Sequence, residues 1–445
     1  MPLAALKRIR YHWFSAQLWL RRVAFWGGAV CVSAIAIVFA MGAEHANIYL
    51  HRILAYSPYL PLVMTPAGLA LSLYVTQRVF PGSEGSGIPQ VIAALQIRDE
   101  KLRGAVLSLK IAFGKIVVTL FALLCGASIG REGPTVQIGA SIMHALGKLV
   151  RFSRQETEKG LILAGGAAGV AAAFNTPLAG VVFAIEEMSR SFEERTSGTM
   201  ITAVIVAGIA SLAVLGNSPY FGRTSATLPL DAAWIAVLVC GAAGGLAGGV
   251  FSRVIIASAG ELPWNLSAFK RSRPVLFAAG CGLVLAVLGL LSHSTTYGTG
   301  YHEARRVLEG SGDLPALYGV LKLVANAVSY ASGIPGGLFS PSLAAGAGLG
   351  VNLSKIMPYA PAGAVVLLGM AGYFAGVVQA PITTFVIVTE MTDNHQLMVP
   401  LMATALLASG TSRLICPRPV YKALSEGFLT RTKGGEMPPT PAQGS

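Results

Sequence analysis

Charge is what this sequence is short of. Only 12% of its 445 residues are Asp, Glu, Lys or Arg, and 53% are hydrophobic. Soluble domains carry about 25% charged residues, so an ordinary water-soluble domain is excluded. Cysteine is also scarce. Cys31, Cys125, Cys240, Cys281 and Cys416 show no metal-site spacing, and they read as small hydrophobes, mostly within apolar runs. There is no Gly-rich loop ending in Lys-Ser or Lys-Thr, so nucleotide-driven pumping has no support. Gly310-Ser311-Gly312-Asp313 fits the GxGD pattern of intramembrane aspartyl proteases. It sits in a polar stretch and has no second intramembrane aspartate with which to form a dyad. His302-Glu303 lacks the second histidine of a zinc helix. The chain therefore reads as not an enzyme, with no cofactor and no metal.

What replaces charge is length of apolar sequence. Charge-free runs extend over Val23 to Ala43, Ile53 to Gln77, Gly160 to Ile185, Thr196 to Gly222, Ala232 to Ser252, Pro274 to His293, Ala331 to Ser354 and Ile356 to Thr389. A helix crosses a bilayer with about 20 such residues, so the fold class is an all-α polytopic membrane protein. The 52 glycines suit helices packed backbone to backbone.

The net charge of +13 is gathered at the ends. Lys7, Arg8, Arg10, Arg21 and Arg22 precede the first run; Arg413, Arg418, Lys422, Arg431 and Lys433 follow the last. That placement marks a cytoplasmic side rather than a nucleic-acid footprint. Both termini are expected in the cytosol, with the chain passing repeatedly through the cell (inner) membrane. Four segments are expected. Residues 1–22, with Tyr11, Trp13, Trp19 and their basic neighbours, suit a helix lying at the interface. Residues 23–222 and 223–430 form two membrane halves. The tail 431–445, rich in Pro, Gly and Thr, is expected to be disordered.

The two halves are related. Gly130, Pro134 and Gly139 recur 207 positions on as Gly337, Pro341 and Gly346, and Gly165, Pro177 and Glu186 recur 204 positions on as Gly369, Pro381 and Glu390. Paired interrupted helices in two halves point to a transport site near mid-membrane. If each half crosses an odd number of times, the repeat is inverted, with broken and re-entrant helices. Three stretches share one design: Gly85-Ser86-Gly87-Ile88-Pro89, Gly130-Arg131-Glu132-Gly133-Pro134 and Gly337-Leu338-Phe339-Ser340-Pro341. Glycine lets the backbone turn, and proline suits a helix start. Thr135 onward is expected to be a helix whose start points at Glu132, and helix starts bind anions. The second break, Asn175-Thr176-Pro177, leads to Glu186 and Glu187, which face different ways on a helix at about 100° per residue. Arg98 to Arg103 reads as a charged loop, and Lys110, Lys115 and Lys322 as snorkelling or paired.

The three motifs, in order, resemble the signatures of the CLC chloride channel and transporter family, over roughly Val23 to Leu429. The resemblance implies that Ser86 and Tyr421 hydroxyls hold a central chloride, with backbone N–H groups of Leu338 and Phe339. Arg131 and Gly133 would meet an external anion through their backbone. Glu132 would be the gating acid and Glu187 the inner proton-transfer acid, giving exchange of chloride for protons by a homodimer. A passive chloride channel, or an exchanger of nitrate or fluoride, stands as the alternative. The short chain after Tyr421 leads to the expectation of a prokaryotic-type member. Gln90 departs from relatives that carry glutamate there. Taken alone, Glu132 would be a helix cap or a partner of Arg131, Glu187 a helix end meeting cytosol, Tyr421 an interfacial anchor and Ser86 a cap.

Overall fold

The structure, a computed structural model, describes residues 16–150, 155–189, 194–216, 219–260, 264–312 and 314–433. Most of the expected interfacial segment (residues 1–15), the tail beyond Lys433 and Asp313 of the protease-like stretch lie outside them. Helices carry the whole architecture of the described residues. The first half runs α1 (Ala16–Tyr56), α2 (Pro61–Arg78), α3 (Ile88–Gln96), α4 (Glu100–Val106), α5 (Leu109–Leu124), α6 (Glu132–Leu149), α7 (Gln155–Phe174), α8 (Pro177–Phe183) and α9 (Glu194–Leu215). The second runs α10 (Ile235–Ala259), α11 (Trp264–Ser272), α12 (Pro274–Leu291), α13 (Tyr301–Leu308), α14 (Tyr318–Ala331), α15 (Phe339–Ile356), α16 (Ala362–Val378), α17 (Pro381–Thr392), α18 (Met398–Ile415) and α19 (Val420–Lys433).

Among the described residues, the helices long and apolar enough to cross a membrane are Arg22–Tyr56, Glu100–Leu124, Ala232–Ala259, Pro274–Leu291 and Met398–Ile415. Exposed apolar side chains cover outer faces of several helices, among them Ile205 and Ile209 of α9, Leu283 and Val287 of α12, and Leu406 of α18. That is the surface a polytopic membrane protein turns to lipid.

Several charge-free runs are not single spans. Ala331–Ser354 breaks between α14 and α15, and Ile356–Thr389 breaks between α16 and α17. Absence of charge reports an apolar setting but not helical continuity, because interrupted backbone is tolerated where protein surrounds it. Proline stands at or next to the start of α2, α3, α8, α12 and α17, where its missing N–H costs nothing. The expected charged loop Arg98–Arg103 is mostly helix α4. Asp99 caps it by accepting from Lys101 N at 2.8 Å and Leu102 N at 3.3 Å, a cap that favours helix over loop.

The halves answer one another residue by residue. Gly130 and Gly337, 207 positions apart, exchange two backbone hydrogen bonds, N–H to O at 2.8 and 2.7 Å. Two counterparts that bond each other reciprocally straddle the axis relating the halves. Glu186 accepts from Ile382 N at 3.1 Å and Thr383 N at 2.6 Å. Its counterpart Glu390 accepts from Leu178 N at 3.1 Å and Ala179 N at 2.6 Å. Each short helix therefore has its N-terminal amides satisfied by the other half. Asn175 and Gln379, again counterparts, both adopt φ of 56° just ahead of these helices. Close helix packing repeats as well: α6 meets α7 at Gly139 and Gly165, and α15 meets α16 at Gly346 and Gly369. A Cβ on Gly346 would stand 2.8 Å from Met370 Cα, so only glycine permits the approach.

Candidate anion pathway

Three helix starts meet at one place. The loop before α3 joins the loop before α15 through Gly85 N–H to Ile334 O at 3.2 Å and Gly336 N–H to Gly85 O at 3.0 Å. The Gly130–Gly337 pair joins the loops before α6 and α15. Residues at a helix start carry N–H groups with no acceptor inside the helix, so the junction concentrates donors. Ser86 stands between Gly85 (φ 63°) and Gly87 (φ 96°), left-handed conformations that glycine adopts without strain. They turn the serine into the junction. Its side chain is fully buried and its hydroxyl lies over Gly133, where any Cβ would collide with it.

Tyr421, at the start of α19, is fully buried and stacks on Phe339, with ring centroids 6.2 Å apart at 16°. Its hydroxyl approaches that of Ser86, yet neither oxygen has a hydrogen-bond partner of ordinary geometry. Buried polar atoms are nearly always satisfied, so two facing hydroxyls with spare donors are suited to an anion. Leu338 and Phe339 are each 1% exposed. The Phe339 ring packs on Phe374 at 4.7 Å and on Phe174 and Phe183 at 5.7 Å, which fixes the start of α15. The structure thus brings Ser86, Gly133, Leu338, Phe339 and Tyr421 together.

Helix α6 begins at Glu132, not Thr135, so this acid belongs to the first turn itself. Pro134 needs no N–H there, and that lets the helix start two residues before it. Glu132 is 1% exposed; its Oε1 accepts from Ser340 Oγ at 2.5 Å, while Oε2 lies against Gly130 without a hydrogen-bond partner. Arg131 is not its ion-pair partner. The guanidinium donates to Ala40 O at 2.7 Å and lies 5.9 Å from the Tyr220 ring centroid. Beyond it opens a cavity of about 830 Å³ lined by Arg131, Tyr220, Phe174, Glu44, His302 and Arg305, among others.

Glu187 sits in a widened helical turn, Ala184–Ser189, that continues α8, and it is 2% exposed. It is a buried acid and not a helix end meeting solvent. Both Glu187 and Glu132 lie within electrostatic range of the Tyr421 hydroxyl. Its neighbour Glu186 serves α17 instead, so adjacent acids in the chain have separate duties.

Two lysines are buried rather than snorkelling. Lys115 Nζ donates to Gly85 O at 3.1 Å and Glu84 O at 3.4 Å, and Gln90 Nε2 also donates to Glu84 O at 2.6 Å. Lys322 Nζ donates to Thr296 O at 2.9 Å, Tyr297 O at 3.3 Å and Gly298 O at 2.8 Å. Each lysine pins a glycine loop, and they are 207 positions apart. Sequence reasoning missed that pairing, though the spacing was in plain view. It also missed Ser340, visible inside a motif, and Tyr220, which no pattern singles out.

Helix starts buried around a polar junction, inside an apolar exterior and with two related halves, define a polytopic membrane transporter architecture. The chain belongs to the voltage gated chloride channel family, whose model it matches over residues 68–413. Among solved structures, a slow cyanobacterial Cl⁻/H⁺ antiporter is 26% identical with a TM-score of 0.78, the match covering 92% of this chain and 98% of that one. A CLC-type fluoride/proton antiporter is 23% identical with a TM-score of 0.76, over 90% of this chain and 96% of that one. A eukaryotic CLC transporter shares the fold at 22% identity and a TM-score of 0.75, over 93% of this chain and 75% of its own.

Proposed function

We propose that this protein exchanges chloride for protons across the membrane. One observation carries the reading: a buried carboxylate, Glu132, stands in the first turn of α6 beside the junction that holds the unpartnered hydroxyls of Ser86 and Tyr421. A carboxylate and a halide compete for the same donors. Protonating Glu132 withdraws it from that competition, so proton and anion occupancy become linked, and such linkage is reciprocal. Glu187 supplies a second buried acid near Tyr421, which suits proton transfer from the other side. The fluoride/proton antiporter among the structural neighbours makes the anion a matter for measurement; Ser86 favours chloride.

The functional unit is a homodimer in a lipid bilayer of the cell membrane, both termini in the cytosol, with halves at 23–222 and 223–430. No nucleic acid takes part. In liposomes with an imposed chloride gradient, protons move against their own gradient. Glu132→Gln abolishes that proton movement and leaves chloride flux; Glu187→Gln also uncouples protons. A reversal potential that follows chloride alone would identify a passive channel instead.

A further inference from the structure

We propose that Ser340 is a positioning residue that latches Glu132 in the anion path, with Tyr220 behind it. The inference rests on Glu132 being the gating acid and adds what sets its release. Ser340 Oγ donates to Glu132 Oε1 at 2.5 Å, and both residues are 1% exposed. Hydrogen bonds to an ionised acceptor are roughly twice as strong as neutral ones. A donor aimed at the carboxylate therefore holds it where it competes with chloride.

This donor is not part of the shared backbone design. The counterpart of Ser340 in the other half, 207 positions earlier, is Gly133, which has no hydroxyl to give. Tyr220 Oη lies 3.5 Å from Ser340 Oγ and, in donating to it, would leave the serine's own proton for Glu132. The Tyr220 ring is held by Phe221 at 5.0 Å and Tyr301 at 4.7 Å, and it lines the cavity described above. The latch thus has one end on the gate and the other on the cavity wall. Tyr220, from the segment before α10, and Tyr421 both lie within electrostatic range of Glu132; Arg131 and Tyr301 flank Tyr220, and Glu187 and Tyr330 flank Tyr421.

The test is the pH profile of chloride/proton exchange in proteoliposomes. Ser340→Ala raises turnover at neutral pH several-fold and moves the midpoint of acid activation up by about one pH unit. Ser340→Thr, which keeps the hydroxyl, stays near the parent, and Tyr220→Phe shifts the midpoint the same way by a few tenths of a unit. A Ser340→Ala profile that overlays the parent overturns the latch, as does lost activity with an unmoved midpoint. Should Ser340→Ala fail to insert, the Tyr220→Phe midpoint decides, and no shift sinks the proposal. Glu132→Gln separates the two levels. If it leaves proton coupling intact, the gate itself is misassigned; if it uncouples while Ser340→Ala and Tyr220→Phe behave as the parent, only the latch fails.

Discussion

The same loop appears twice and is used in two ways. Gly85-Ser86-Gly87 precedes α3 and Gly298-Thr299-Gly300 precedes α13, with φ of 63° and 96° in the first and 64° and 77° in the second. A buried lysine ties each loop down by its carbonyls. In the first, the serine hydroxyl is buried and unspent. In the second, Thr299 is part-exposed and its hydroxyl is spent locally, accepting from Tyr301 N at 3.3 Å. A further contrast lies one element on: the counterpart of Glu132 is Phe339. One half places an acid in the first turn of its helix and the other an aromatic wall. A shared backbone supplies the donors; unequal side chains decide which loop is left open to a ligand.

Four measurements press on that contrast, beginning with the largest effect. Lys322→Met orphans the buried carbonyls of Thr296, Tyr297 and Gly298 at about 1–3 kcal/mol per group and lowers the melting temperature in detergent substantially. Lys115→Met leaves Glu84 O to Gln90 and Gly85 O to Gly336 and lowers it less. Only Lys115→Met also weakens chloride binding; an equal loss in both variants would mean that the loops are not specialised. Next, Ser86→Ala weakens chloride binding about tenfold, the value of one hydrogen bond to a charged group. Thr299→Val leaves that affinity within about twofold and costs at most about 1 kcal/mol of stability as one lost hydrogen bond. Calorimetric titration distinguishes the two.

The cross-half caps provide a test of symmetry. Glu186→Gln and Glu390→Gln should each cost about 1 kcal/mol, and clearly unequal losses would break the equivalence. The smallest effect belongs to a contact between the halves that has no counterpart. His302 bonds Glu44 at 3.0 Å, and this partner raises the histidine's pKa above its ordinary value. Its contribution is full below the ordinary histidine range and disappears as pH rises through the raised value. With 42% of each side chain exposed, screening holds it below about 1 kcal/mol. Glu44→Gln should flatten that pH step in thermal stability. The counterpart of His302, 213 positions earlier, is Pro89, so the first loop has no histidine at the matching position.

Much of the frame was legible because backbone chemistry writes itself into residue type. Prolines marked helix starts, paired glycines marked close approaches, and the 207- and 204-position shifts revealed the halves. The break between α14 and α15 was legible in Gly337 to Pro341 although Ser332 to Leu338 carries no charge. Ser340 was visible as a letter but not as a contact, because its bond to Glu132 spans 208 positions. Side-chain partners at that range follow from how loops fold back, and neither period nor propensity encodes them. Lys115 and Lys322 could have been paired by their spacing alone; they were read singly because a lone lysine in apolar sequence has an easier explanation at the bilayer surface.

The exchanged carboxylates of Glu186 and Glu390 also set a schedule for synthesis. Leu178 N–H waits for an acceptor that lies 212 positions downstream, and no residue of its own half supplies it in the finished protein. While the ribosome is still making the second half, the start of α8 must borrow water or a chaperoning partner. Maturation of the first-made half is therefore completed only when nearly the last of the membrane-embedded chain has left the tunnel.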